Sequence, residues 1–123
     1  MKINSKTIVV TGAGGGIGGE IALELLRRSA RVAAVDLCED ALDNIKIRAG
    51  DMADRLSLHP LDIGDHEAVT KLPEAVKSAL GEADGVINCA GIIQPFVRVN
   101  DLDYDAIDRV MRVNFYGTLY MTK

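Results

Sequence analysis

Proline and cysteine are scarce in this chain, and several larger features are missing. Only 3 of the 123 residues are Pro, against 12 Gly, 48% hydrophobic and 26% charged residues, a balance that excludes disordered and collagen-like chains. No apolar run reaches the roughly 18–20 residues needed to cross a bilayer, and Met1-Lys2-Ile3-Asn4-Ser5-Lys6 leads straight into a strand, unlike a secretory leader. No five like charges stand together, and 18 acidic residues outweigh 14 basic ones, for a net charge of −4. Nucleic acid and anionic membranes are therefore not expected partners. A cytoplasmic location is expected. The two cysteines, Cys38 and Cys89, form no CxxC pair, so free buried thiols are expected, with no disulfide and no metal site. The length suits one domain, able to bury roughly two-thirds of its extended-chain surface.

What is present alternates. Thr7-Ile8-Val9-Val10 is a β-branched run stopped by a glycine turn, after which Ile17, Ile21, Ala22, Leu25 and Leu26 recur at helical spacing. Val32-Ala33-Ala34-Val35 is apolar throughout, as in a strand buried on both faces, and ends on Asp36. A helix is expected over residues 39–50 and a strand over 56–61, closing on Asp62. Residues 65–80 follow as a helix that Pro73 kinks or splits and Gly81 stops, and Gly85-Val86-Ile87 is a fourth strand ending at Asn88. A last helix runs from about Tyr104 with Asp101 or Asp103 as its N-cap, carrying the stripe Ile107, Val110, Met111, Phe115 and Leu119. Asp36, Asp62 and Asn88 stand 26 residues apart, the length of one strand-plus-helix unit, so all three reach one edge of a parallel sheet. Right-handed crossovers then give an α/β, doubly wound sheet of order 3-2-1-4, with a ligand site where the order reverses.

The turn Gly12-Ala13-Gly14-Gly15-Gly16-Ile17-Gly18-Gly19 lies between a buried strand and a helix start. Bare backbone there can approach a pyrophosphate, which the helix amides attract. Gly19 is followed by Glu20-Ile21, so the Lys-Ser/Thr pair of a nucleotide-hydrolysing P-loop is missing. A G-x-G-x-x-G string occurs at Gly14, Gly16 and Gly19, but it starts three residues beyond the expected strand end. The better register is T-G-x-x-x-G-I-G.

In that register, Thr11 to Gly18 resembles the glycine motif of the short-chain dehydrogenase/reductase family. Asp36 resembles the family's ribose-binding acid, with Leu37 beside it. Asp62-Ile63 resembles the pair whose carboxylate and amide contact adenine. Asn88-Cys89-Ala90-Gly91 resembles the Asn-Asn-Ala-Gly signature after strand four, and Val113-Asn114-Phe115-Tyr116-Gly117 resembles the segment with the helix-four asparagine. The resemblance spans all 123 residues and about the first half of a typical member. It implies a truncated Rossmann-type, NAD(P)-binding domain over residues 1–123 that lacks the catalytic C-terminal half. The cofactor contacts it implies are Gly12, Gly14, Gly15, Gly16, Ile17, Gly18, Asp36, Leu37, Asp62, Ile63, Asn88, Ala90 and Gly91, and the catalytic residue it implies is Asn114, as a proton relay. Each acid or amide also has a plain structural use: Asp36 as a strand-ending cap, Asp62 as a helix cap, Asn88 as a loop anchor, Asn114 as a packing residue. Two positions depart from the pattern. Cys89 replaces the second Asn, and Ser29 stands where a helix-ending Gly is usual, at a cost of about 1 kcal/mol if the left-handed backbone is kept.

Asp36 can accept both hydroxyls of an adenosine ribose, whereas a 2′-phosphate at about 5 Å would meet repulsion of about 3 kcal/mol per unit charge, or roughly a hundredfold. Neither position 15 nor position 37 is basic. The expected cofactor is NAD. The family's Tyr-x-x-x-Lys is missing: Tyr104 has Asp108 at +4, Tyr116 has Tyr120, and Tyr120 has Lys123 at +3. Tyr120 and Lys123 are expected on the helix surface, and His59 and His66 at surface or cap positions without partners. The expectation is the N-terminal cofactor-binding part of an NAD-dependent oxidoreductase acting on an alcohol or carbonyl, with sugar, steroid, acyl thioester and simple alcohol all open as substrates, inactive as this chain alone. The alternatives are a non-catalytic NAD-binding or regulatory module and a fragment without ligand affinity. A bare edge on strand four and an uncovered helix stripe imply a sticky chain, and the resemblance implies a homo-oligomer.

Overall fold

The computed structural model describes residues 2–123. Four parallel strands, β1 (Thr7–Thr11), β2 (Arg31–Asp36), β3 (Leu56–Pro60) and β4 (Gly85–Asn88), form one sheet of order β3-β2-β1-β4, as the spacing of the acids predicts. β1 sits between β2 and β4, with Ile8 opposite Val32 on one side and Gly85 on the other. All five residues of β1 are buried. Alternation along the strand sends Ile8 and Val10 to one face and Val9 to the other. On the first face they meet Leu23 and Leu26 of α1 (Gly16–Arg27) and Leu42 of α2 (Glu39–Ala49). On the second, Val9, Ala33 and Val35 meet Val69, Leu72 and Val76 of α3 (His66–Leu80). Each face thus carries its own core, and the strands need no polar side.

The helix ends follow local chemistry. α1 closes with Ser29 at φ 69°, where the Ser29 amide donates to the Leu26 carbonyl and the Ala30 amide to that of Leu25. That is a Schellman ending built on serine, so the left-handed position is kept. α3 starts at Asp65, whose Oδ1 accepts from the Glu67 and Ala68 amides. Pro73 lies inside α3 without splitting it. Its ring removes one donor from the ladder, but the apolar stripe packed on the sheet keeps the flanking turns together.

The last helix starts at Asp103, which accepts from the Ala106 amide at 2.7 Å. It is not uniform: α4 (Tyr104–Val110) passes into a π-helical stretch (Met111–Gly117) and then α5 (Thr118–Thr122). The expected stripe is left half-exposed, with Phe115 at 54% and Leu119 at 48%. Tyr120 is not plain surface, because it is half-buried against the second core with its ring 5.1 Å from that of His66. The expected buried thiols are corrected as well: Cys38 is exposed and Cys89 only partly covered, since both lie in loops past strand ends. His59 does have a partner. Its Nε2 is 2.7 Å from Ser57 Oγ, two residues away on the same face of β3, and partial burial holds its pKa below the ordinary value.

Candidate functional site

The carboxyl ends of the strands open on one cleft, lined by residues from four loops, among them Gly12, Gly15, Asp36, Asp62, Ala90 and Val113. Two close approaches set the first loop. Gly12 has φ +66° and a side chain there would come within 2.8 Å of the Ala90 amide nitrogen, while one at Gly18 would overlap the Gly12 carbonyl oxygen. Backbone fills the space that side chains would need. Gly15 is the N-cap of α1, with no side-chain cap among the described residues and no acid in the first turn. The leading amides of α1, from Gly16, Ile17 and Gly18, thus stand at a positive helix end with no acid of the helix's own first turn beside them. Gly16 faces open space and Ile17 is 77% exposed at this mouth.

Asp36 ends β2 beside the loop. Its Oδ2 accepts from the Gly14 amide and its Oδ1 from the Cys38 amide, both at 2.9 Å. Each carboxylate oxygen accepts more than one hydrogen bond, so the group is fixed by the backbone and keeps capacity toward the cleft. Leu37 follows it, 72% exposed. On the far side, Asp62 Oδ1 accepts from the Gly64 amide at 2.8 Å and Oδ2 from Arg112 Nη1 at 2.7 Å. Burial alone would raise the Asp62 carboxyl, but the Arg112 hydrogen bond, the Gly64 amide and the Arg112 charge outweigh it and hold the pKa below the ordinary value. Ile63, beside it, is buried and lines the cleft.

The loop after β4 forms the third wall. Thr11 Oγ1, fully buried, accepts from the amides of Cys89 and Ala90 at 3.1 Å each. Asn114 behaves like a strand partner: its Oδ1 accepts from the Ile92 amide at 2.9 Å and its Nδ2 donates to the Ile92 carbonyl at 2.7 Å. Gly91 lies near the same side chain. The Asn88 side chain turns away to Thr122 Oγ1 at 3.4 Å. Of the residues expected on the cofactor, Gly12, Gly15, Asp36, Leu37, Asp62, Ile63, Ala90 and Gly91 line the cleft. Gly14, Gly16, Ile17 and Gly18 are not among the lining residues, and Asn88 and Asn114 instead tie the third wall to the last helix. Thr11 and Arg112 are further residues of the site. Thr11 opens the glycine motif in the sequence, but nothing there shows its bonds to the loop after β4, and Arg112 has no local signal, because its partner is 50 positions away.

Residues 6–123 match the family model for short chain dehydrogenases. The chain belongs to that family. Proteins similar to it include versicolorin reductase stcU of Emericella nidulans, 36% identical over 127 residues, which takes in 99% of this chain and 46% of that protein. The structure of NAD+-bound xylitol dehydrogenase superposes with a TM-score of 0.92 at 30% identity, over 99% of this chain and 47% of the other. A 3-ketoacyl-(acyl-carrier-protein) reductase from Brucella melitensis complexed with NADH gives 0.90 at 28% identity, over 98% and 48%. This chain spans a little under half the length of each of these proteins. Its glycine loop, parallel sheet and α1 N-terminus form the Rossmann cofactor-binding region of a short chain dehydrogenase, a family of oxidoreductases. Among the described residues no helix is long and apolar enough to cross a membrane.

Donors and acceptors here fit a nicotinamide dinucleotide. The amides at the start of α1 would take a diphosphate, the anchored Asp36 carboxylate a ribose diol, and the apolar wall of Val35, Leu37, Leu61 and Ile63 a flat base.

Proposed function

We propose that this chain is the N-terminal, NAD-binding part of an oxidoreductase that moves hydride between an alcohol and its carbonyl, and that the 123 residues alone do not turn over. In this reading the amides from Gly12 to Gly18 hold the diphosphate, Asp36 and Leu37 the adenosine ribose, and Asp62 and Ile63 the base. Asn88, Ala90 and Gly91 border the nicotinamide side, and Asn114 holds the proton-relay position. The bound dinucleotide would supply the hydride donor or acceptor at its nicotinamide ring. Self-association through the half-exposed helix stripe and a cytoplasmic location belong to the same proposal.

The observation that carries the choice of NAD is Asp36. Its carboxylate is pinned to the loop by Gly14 and followed by Leu37, so a 2′-phosphate would face an anion with no cation at positions 15 or 37. Titration calorimetry should find NAD bound tighter than NADP by roughly a hundredfold. Asp36→Ala combined with Leu37→Arg should reverse the order, and unchanged relative affinities would refute the assignment. Hydride-transfer assays of the chain with mixed alcohols and ketones should stay at background, because no Tyr-x-x-x-Lys occurs in it. A second reading, an NAD-binding module without chemistry, draws on that same lack. Downstream codons for a serine and a Tyr-x-x-x-Lys in the reading frame would dispose of it.

A further inference from the structure

The ion pair between Asp62 and Arg112 joins the loop after β3 to the last helix, two parts of the chain 50 positions apart. Arg112 lies in the π-helical stretch, two residues before Asn114. Its neighbour Val113 lines the cleft, while Arg112 is not among the lining residues and bonds Asp62 Oδ2 at 2.7 Å. The loop is shaped to receive it. A side chain at Gly64 would overlap Arg112 Nη1 and come within 3.0 Å of its Cγ and 3.2 Å of its Cζ, so the arginine lies flat over a bare backbone position. Ile63 packs on the buried Gly117 of the same helical stretch. Three consecutive loop residues, 62 to 64, are thus seated on one turn of helix.

Stability is a weak reason for such a pair. The Arg112 and Asp62 side chains are 47% and 32% exposed, and ion pairs this wet contribute little. Geometry is a better reason. With Oδ2 held by Arg112 and Oδ1 by Gly64, the Asp62 carboxylate has one orientation before any ligand arrives, and its remaining lone pairs point in fixed directions. Ordering an acceptor in advance removes that entropic cost from binding. A planar guanidinium does this better than a flexible ammonium.

We infer that Arg112 is a positioning residue for recognition of the cofactor's base: it orients the Asp62 carboxylate toward the exocyclic amine of an adenine without touching the ligand. This rests on the proposal that the cleft binds NAD with its base against Asp62. Calorimetry of the 123-residue chain with NAD and with nicotinamide hypoxanthine dinucleotide, in which a carbonyl replaces that amine, reads base discrimination directly. The unaltered chain should favour NAD by about tenfold or more. Arg112→Met should reduce the preference to less than about threefold, and Arg112→Lys should restore part of it. Gly64→Ala leaves the arginine in the sequence and pushes its guanidinium off Asp62, so it should give the same loss, and it keeps the test open should Arg112 be needed for folding. A role in structure alone would weaken both dinucleotides equally, and an unchanged or larger ratio in Arg112→Met and Gly64→Ala overturns the inference. So does tight NAD binding with no base preference in the unaltered chain, which leaves the proposed function standing. Failure of both dinucleotides to bind overturns that function and this inference with it.

Discussion

The two sides of the cleft are built by different forces. On the β1–β2 side, the strands are buried nearly end to end and the glycine loop is folded against backbone, so the Asp36 carboxylate stands on a packed base. On the β4 side, the strand alternates between half-buried and exposed residues, and the loop beyond it carries Phe96 at 90% exposure. Order there comes from hydrogen bonds: Thr11 holds the turn after β4, and Asn114 holds Ile92. Apolar burial fixes the first wall, and a few polar clamps fix the second.

The sharpest way to break this contrast is to make the same cut on each side. Leu23→Ala, in a residue 1% exposed under β1, should cost about 2–5 kcal/mol in denaturant unfolding, while Leu119→Ala, 48% exposed on the last helix, should stay within about 0.5 kcal/mol. Equal losses would mean that the second wall is as well packed as the first. Ser29→Gly should stabilise the chain by about 1 kcal/mol, because it relieves the left-handed ending of α1; thermal melts would show no gain if that ending were fluid.

A smaller effect is expected at β3, the other sheet edge. Burial holds the His59 pKa below its ordinary value, so the unfolded chain takes up the proton first as pH falls. Stability from this residue is therefore full above the ordinary histidine pKa, near 6.5, and declines as pH drops through it toward the folded value. His59→Gln, which can still bond Ser57, should flatten that decline between about pH 7 and 5, and unfolding curves identical to the parent chain's would remove the effect.

The order of elements was legible because the two central strands, buried on both faces, read as nearly unbroken apolar runs, and because Asp36, Asp62 and Asn88 mark equal steps along the chain. The glycine turn was legible because missing side chains are visible in one dimension. Long-range pairings left no such trace: Asn114 with Ile92 is 22 residues apart, and Thr11 with Ala90 is 79. Pro73 does not split α3, because a lost donor is local, whereas the packing that holds the helix together is not. The buried-thiol expectation for Cys38 and Cys89 failed because average burial of a residue type says little about a loop at a strand end.

The widened winding between Met111 and Gly117 is the form a helix takes when it absorbs one surplus residue without losing its axis. Excising a single position from it would let the rod rewind to the ordinary pitch while everything downstream keeps its facing, so Tyr120 would stay by His66 and Thr122 by Asn88. The same excision beyond Gly117, in ordinary α-helix, would turn the terminal residues through roughly 100°. The loose winding is thus the one part of this rod that can lose a codon without turning its end.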